Sequence, residues 1–546
     1  MHAPTFQEEY KQFWKDKSSV SVMWLALLYC TMSLGIILGP RSPAINAHAG
    51  SPHDEADRDD YLSQSVTRYQ QLASSALVLA DITKSQPYTL ETLMVYAECE
   101  FLRRDDSHAK IWLMHGIALR TAMRMGYHRD PANFKGMSPF QGEMRRRAWH
   151  VINMMDILIS FAIGLPAQVR RVESDVRLPR NLFDADISPT MSELPKERPG
   201  TEVTPASYFK AKARICTVFA EAAELSQQIT PPRYTTIVAL EKKLEEAHDA
   251  IPEGMRVRPM EECITDPPVL VMSRLNLELL CLKTRLVLHR NFFTAGQSDP
   301  KFASSRKISI ESAVKILAWN KVISDACQPG GQLQKVWWYM ASLQTYDFLL
   351  AAMILCLELQ HIKAVDGTSL RVAELFGILE TTYDIWENHP SRFRESVRGA
   401  AILKAMLTKC SSPAPSETIS NVSTFVGTDK SECAMRFRFE ANLQTGIGNL
   451  PNGRIPESRP EEFASSIWGP WSATDAPSLD MQDVPSEIDW VSPLISQTSL
   501  DADHATRHSS TLPCSIKTTC ARHRCGRPTT TPQWNLGWVR PPASIT

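Results

Sequence analysis

Twenty consecutive residues, Val20 to Gly39 (VSVMWLALLYCTMSLGIILG), carry no charge. A helix of roughly 20 apolar residues is long enough to span a bilayer. The chain therefore either enters a membrane or buries this helix on all sides within a large fold. The flanks decide between the two. Glu8, Glu9 and Asp16 mix with Lys11, Lys15 and Lys17 upstream, giving neither a positive leader nor a clear charge asymmetry. Ser21, Thr31 and Ser33 also interrupt the run. It is read as a core helix, and such a helix needs many partners. A chain of 546 residues with 43% hydrophobic and 22% charged residues can supply them.

The partners are predicted to be helices. Up to about residue 410, apolar residues recur at spacings of three and four, with start and stop signals between the segments. Ser107 can cap a helix whose apolar positions include Ile111, Trp112, Met114, Ile117, Ala118, Ala122 and Met125. Gly126 stands where a left-handed C-terminal residue is expected. The next helix opens at Ser138-Pro139-Phe140-Gln141. Its serine can cap, its proline suits the first helical position, and its glutamine can close a capping box. Phe140, Met144, Ala148, Ile152, Met155 and Ile159 mark one face, and Gly164-Leu165-Pro166 stops the helix. Further helices are predicted at roughly 64–84, 89–103, 206–228, 234–250, 268–293, 306–328, 335–362, 370–388 and 394–409. Proline-rich connections join them, no fixed-period repeat is found, and strand-like alternation is scarce. The fold class is all-α, with a large helical domain over 1–410.

After Cys410 the composition turns to Ser, Pro, Thr, Asn and Gly without periodicity. Residues 411–546 are read as a disordered tail. Within it, Glu461 to Asp503 contains acids but no Lys or Arg, interleaved with Phe463, Trp468, Trp471 and Trp490. Acids keep such aromatics solvated and available to fold onto a partner's apolar groove. The bland alternative is an acidic linker. His504 to Thr546 reverses sign; its Cys514, Cys520, Cys525 and His523 do not match common zinc spacings. That cluster is read as chance, or as translated sequence beyond the true coding region.

The formal net charge of −1 and pI of about 6.9 provide no global basic field for nucleic acid. Twelve scattered cysteines in so long a chain are read as reduced thiols. No Gly-x-Ser-x-Gly elbow, phosphate loop or dinucleotide fingerprint is present. His128-Arg129-Asp130 matches one kinase step, but Lys135 stands where that motif needs asparagine. His108, His115 and His128 share no ligand spacing. Nothing indicates an enzyme. Arg145, Arg146 and Arg147 spread over different faces of a helix, so a phosphate-contacting patch is the weaker reading. Arg146 and Arg147 are expected to pair with acids such as Asp156, Asp175 or Asp186 and to fix the helix against the following loop. Trp112, Met114, Met144, Met155, Trp337, Trp338 and Phe348 are read as core, although a small apolar effector could lie between such helices.

The stretch from Ala109 to Ile187 resembles the central homology region of fungal zinc-cluster transcription factors. Trp112, Gly116-Ile117-Ala118-Leu119-Arg120 and Met125-Gly126-Tyr127-His128-Arg129-Asp130-Pro131 carry the likeness. So do Ser138-Pro139-Phe140, Glu143-Met144-Arg145-Arg146-Arg147-Ala148-Trp149, Asp156, Ser160, Gly164-Leu165-Pro166, Asp175, Leu178-Pro179, Asn181-Leu182 and Asp184-Ala185-Asp186. It extends outward through Phe6-Gln7-Glu8-Glu9-Tyr10, Phe13-Trp14 and Trp24-Leu25-Ala26-Leu27-Leu28, then Leu288-His289-Arg290 and Asp347-Phe348-Leu349. Leu165 departs from the arginine usual in that family. The family's DNA-binding module places six cysteines around two zinc ions with Cys-x-x-Cys steps. No two cysteines here stand three positions apart, and only Cys30 and Cys99 precede residue 200. The expectation is a chain shortened at its front, with no metal or cofactor of its own and zinc only in a preceding module. The resemblance implies a nuclear transcription regulator with a helical regulatory domain, acting on metabolic or secondary-metabolite genes. The expected partners are DNA, the transcription machinery or a co-activator, a second subunit (homodimer or heterodimer) and a small-molecule effector, with no membrane. The alternative readings are a co-regulator that cannot grip DNA and pairs with a full-length relative, and a membrane-associated or enzymatic helical protein.

Overall fold

The computed structural model describes residues 1–39, 52–102, 108–230, 232–339, 342–365, 370–388 and 394–411. The described residues hold thirteen α-helices, several short 3-10 turns and irregular connections, with no strand. The helices are α1 (Ala3–Lys15), α2 (Val22–Leu38), α3 (Pro52–Ala80), α4 (Thr89–Leu102), α5 (His108–Arg124), α6 (Pro139–Ala162) and α7 (Pro205–Ser226). They continue with α8 (Tyr234–Asp249), α9 (Pro268–His289), α10 (Ala303–Cys327), α11 (Ser342–Val365), α12 (Leu370–Glu387) and α13 (Arg394–Ser411). The expected all-α class is what the chain adopts. The expected tail, with Phe463, Trp468, Trp471 and Trp490, lies outside the described residues.

The uncharged run becomes α2, and its neighbours explain why it needs no charge. Met23, Trp24, Ala26, Leu27, Leu28 and Cys30 are buried on several sides at once. α3 and α4 pack along it, while α1 covers its first turn, with Phe6 stacked 5.3 Å from Trp24 and Phe13 at 5.5 Å. The Trp24 indole N–H donates to Glu9 at 2.9 Å, and the Tyr88 hydroxyl donates to the same carboxylate. No helix among the described residues is long and apolar enough to cross a membrane.

α2 to α5 enclose a smaller core, built on Met23, Ala26, Cys30, Ala73, Leu77, Leu93, Tyr96 and Ala118. The larger core runs from α5 through α13. At its centre lies α9, buried from Val271 to His289 on almost every face and packed by α7, α8 and α10. Each fully buried leucine there contributes about 2 kcal/mol through the water it excludes. Seven cysteines of the described residues, including Cys30, Cys99, Cys216 and Cys281, are free thiols. Burial raises the pKa of Cys30, Cys216 and Cys327 and pushes Cys99 and Cys281 up to about 12.

Three differences from the sequence reading have physical causes. α1 carries few apolar residues besides its aromatics, buries none of them fully and leaves Trp14 exposed, so it was legible only as motif residues. α9 stops at His289, and Arg290–Phe292 tighten into a 3-10 turn. The predicted helix 335–362 is divided: Val336 leaves helical geometry inside the turn Gln334–Tyr339, and α11 starts at Ser342. If α2 is a core helix, Leu27→Ala should lower the unfolding free energy by about 3 kcal/mol in urea titrations. Met32→Ala, at a side chain 37% exposed, should cost under about 1 kcal/mol. Equal effects would mean that α2 is not surrounded.

Candidate functional site

Two helix ends create the site. Gly126 ends α5 with φ 75°; its N–H bonds to Met123 and that of Tyr127 bonds to Ala122, both at 2.9 Å. Gly164 repeats the arrangement at the end of α6, with φ 74° and Leu165 bonded back to Ser160 at 2.8 Å. Only a residue free of the left-handed penalty closes a helix this way. Between them, Ser138 and Gln141 form the capping box that starts α6. The first end throws the chain back over the start of α6. The second sends residues 164–204 along that helix as an irregular strap.

Asp130, in the turn before α6 and 4% exposed, receives this strap. Arg146 grips it with two parallel bonds, Nε at 3.0 Å and Nη2 at 2.8 Å. Arg177, from the strap, adds its backbone N–H at 3.0 Å and its guanidinium at 3.1 and 3.3 Å. The Ala132 N–H supplies another bond at 3.0 Å. One turn further back in space, buried Glu143 accepts from Arg147 Nε at 3.2 Å and from the Arg180 N–H at 3.1 Å. Arg147 continues to Asp184 at 2.7 Å and to the Leu182 carbonyl at 3.2 Å. Asp184 in turn accepts the Ala3 N–H at 3.2 Å, and its carbonyl lies 2.9 Å from His2 Nε2. The clasp thus joins α6, the strap and the first residues of the chain.

Asn181 closes the far end. Its amide N–H groups reach the carbonyls of Arg198, Pro199 and Glu202, and its oxygen accepts from the Thr204 and Ser207 hydroxyls that cap α7. The charges follow from these contacts. The Arg146 bonds, with those of Arg177, hold the Asp130 carboxyl well below the usual carboxylate range. Burial pushes Glu143 and Asp156 upward, against the pull of Arg147 on the first and of the Val169 N–H on the second.

The expected partners of Arg146 and Arg147 are corrected here. Asp156 lies ten residues along α6 from Arg146, about 15 Å by helix rise, and instead accepts the Val169 N–H at 2.8 Å. Asp175 accepts the Asp130 N–H at 2.8 Å and the Asn133 amide at 2.7 Å, with Arg129 at 3.4 Å. Asp186 is taken by Arg198 at 2.6 Å. Trp149, 1% exposed, packs within the core with its ring 6.3 Å from His128. Arg145 leaves its two neighbours and lies over Tyr127 at 4.3 Å. Asp130, Glu143, Arg177 and Asn181 had no assigned role in the sequence reading. The local signal for Asp130 was its place before Pro131, where it caps a 3-10 turn.

The clasp consists of paired charges, with no nucleophile set beside a base. No group of three or more His, Cys, Asp or Glu side chains among the described residues is placed to hold a metal ion. The described cysteines do not fit a zinc cluster. Two openings adjoin the strap. A groove of about 710 Å³ runs between it, α7 and the end of α8, past Arg198, Lys210, Arg214 and Glu253. A crevice of about 60 Å³ lies between α6 and α7, lined by Phe161, Leu165, Ala220, Ala223 and Gln227.

Residues 1–235, which carry α1 to α7, the strap and the clasp, match the fungal specific transcription factor domain. Among its relatives, the Zn(2)-C6 fungal-type transcription factor mpsB of Macrophomina phaseolina is 34% identical over 75% of this chain and 55% of its own length. The equisetin cluster transcription factor eqxF of Fusarium heterosporum is 34% identical over 77% of this chain and 60% of its own. The Zn(2)-C6 fungal-type transcription factor pigI of Monascus ruber is 32% identical over 75% and 50%. The chain spans between half and three fifths of the length of these relatives. No solved structure matches it.

Asp130→Asn should cost about 3 kcal/mol near pH 6, because two guanidinium groups lose their shared carboxylate. The sign of its pH dependence is fixed by the depressed pKa. The stabilisation is complete above the ordinary aspartate pKa of about 4 and is lost as pH falls toward the folded value. Urea titrations from pH 6 to 3 should show the wild-type advantage over the variant shrinking below about pH 4. A constant difference across that range would contradict the assignment.

Proposed function

We propose that this chain regulates transcription of a secondary-metabolite gene set in the nucleus. The observation that carries the reading is the match at 34% identity over three quarters of the chain to factors such as the one named for the equisetin cluster. In this reading, residues 1–410 form the regulatory domain. The clasp at Asp130, Arg146 and Arg147, with Trp149, Asp156 and Asp175 beside it, sets the strap that such a domain uses to hold one state. A small-molecule effector or a second subunit shifts the balance between states by binding one of them better. The segment 461–503 recruits a co-activator or the transcription machinery through Phe463, Trp468, Trp471 and Trp490. DNA contact comes through a zinc-cluster module, in a longer form of the chain or in a partner.

Loss of the gene in the source fungus should silence a contiguous set of biosynthetic transcripts, read by RNA sequencing. A transcriptome unchanged under all producing conditions would refute the reading. With the full chain fused to a heterologous DNA-binding module, Trp468→Ala, Trp471→Ala and Trp490→Ala together should remove most reporter output. Undiminished output would sink the assignment of the activation segment.

A further inference from the structure

Three cationic side chains are buried among the described residues: Arg274, Lys283 and Arg290. Two of them have carboxylate partners, Arg274 with Asp266 and Lys283 with Asp347 at 2.6 Å. Arg290, 6% exposed, has none. Its Nη2 donates to the Ser226 hydroxyl at 3.3 Å, its guanidinium carbon lies 5.7 Å from the centre of the Phe161 ring, and its Nε has no hydrogen-bond partner. Burial lowers its pKa to about 10, which leaves the group charged at neutral pH. Acids in the surrounding helices are committed elsewhere. Glu224 pairs with Arg170 at the surface, and Glu241 is shared by Arg285 and His289.

Lys283 stands two turns before Arg290 on α9 and places its Nζ 5.1 Å from the centre of the same Phe161 ring. Two cations therefore face Phe161, and one carboxylate, Asp347, answers them. An unanswered charge in a dry interior is strongly unfavourable and calls for an anion. Phe161 is also a wall of the crevice between α6 and α7. Ser226, which touches Arg290, directly precedes Gln227, another wall of that crevice. Ile157, Leu165, Ala220 and Ala223 give the crevice its apolar walls, and Arg171 and the Arg170–Glu224 ion pair also line it.

We propose that Arg290 is the anion-binding group of a ligand site for a small organic carboxylate with an apolar chain. The carboxylate accepts from the guanidinium fork, geometry that arginine provides and lysine does not. The chain occupies the crevice, whose 60 Å³ holds a short aliphatic segment. Phe161 borders both parts, and the proposed site requires its ring to turn aside when the ligand binds. This site gives the effector of the proposed function a chemical class and a location, and to that extent rests on that reading.

The test is thermal unfolding and calorimetric binding on the purified full chain with hexanoate as probe, against hexanol and against chloride at matched ionic strength. Hexanoate should raise the melting temperature saturably, whereas neither control should. Arg290→Met should weaken hexanoate binding at least about tenfold, the loss of roughly one good charged contact. It should also leave the ligand-free melting temperature unchanged or higher, because an unpaired buried charge has been removed. Arg290→Lys, which keeps the charge without the fork, should bind with intermediate affinity and serves if the methionine variant does not fold. Equal binding by wild type and the variants overturns the proposal, as does an equal response to hexanol or no response to hexanoate at about 10 mM. Binding is read without any reporter. A gene set that ignores a bound carboxylate therefore counts against the proposed function and leaves the site standing.

Discussion

A carboxylate buried between two guanidinium groups is stable only while all three are in place, because any one of them left alone in the interior is costly. Asp130 is buried in this way and Arg146 nearly so, and Arg177 closes over them with a side chain that is largely exposed. Asp130 lies in the turn before α6, Arg146 lies on α6 itself, and Arg177 comes from a strap with no regular structure of its own. The residues from Gly164 to Thr204 form no α-helix and no strand, so their backbone groups need other partners. Asp156 takes the Val169 N–H, Asp130 that of Arg177 and Glu143 that of Arg180, while Glu197, within the strap itself, takes that of Asn181. The carboxylates of the bundle do for the strap what a helix does for itself.

The position of the strap has consequences further on. Asn181 ties it to the Thr204 cap that starts α7, and α7 packs on α9, the most buried helix. Arg147 and Asp184 tie it to the first residues of the chain, from which α1 covers α2. The same side-chain lattice therefore links the smaller core around α2 to the larger one around α9. The proposed function calls for a part that can be held in one of two arrangements while the cores stay packed. The strap is the part proposed for it, fastened by ion pairs and caps as well as by buried Val169 and Leu182.

Most of the helical architecture was legible in the sequence. Spacing of three and four, Gly126 and Gly164 as closing residues, and the box at Ser138 each found the expected element. These signals are local, and the physics that reads them is local. α1 escaped because its burial comes from Trp24 on another helix, with Trp14 left in solvent. The basic triplet was legible as structural fastening but not in its partners. Charge alone cannot say which of the nearby acids a guanidinium meets, and the strap's path decides it. Arg290 was visible only as part of a motif. Its lack of a counter-charge is a property of the packed interior that no spacing rule reports.

The central claim, that carboxylates of the bundle hold the strap, is tested most directly by hydrogen exchange on the native chain. The amides of Val169, Arg177 and Arg180 in the strap donate to carboxylates outside it. Amides so engaged exchange only when the structure opens. The account predicts that these three exchange as slowly as the amides of α6, in spite of lying in irregular chain. Exchange at the rate of exposed loops, while α6 stays protected, would contradict it.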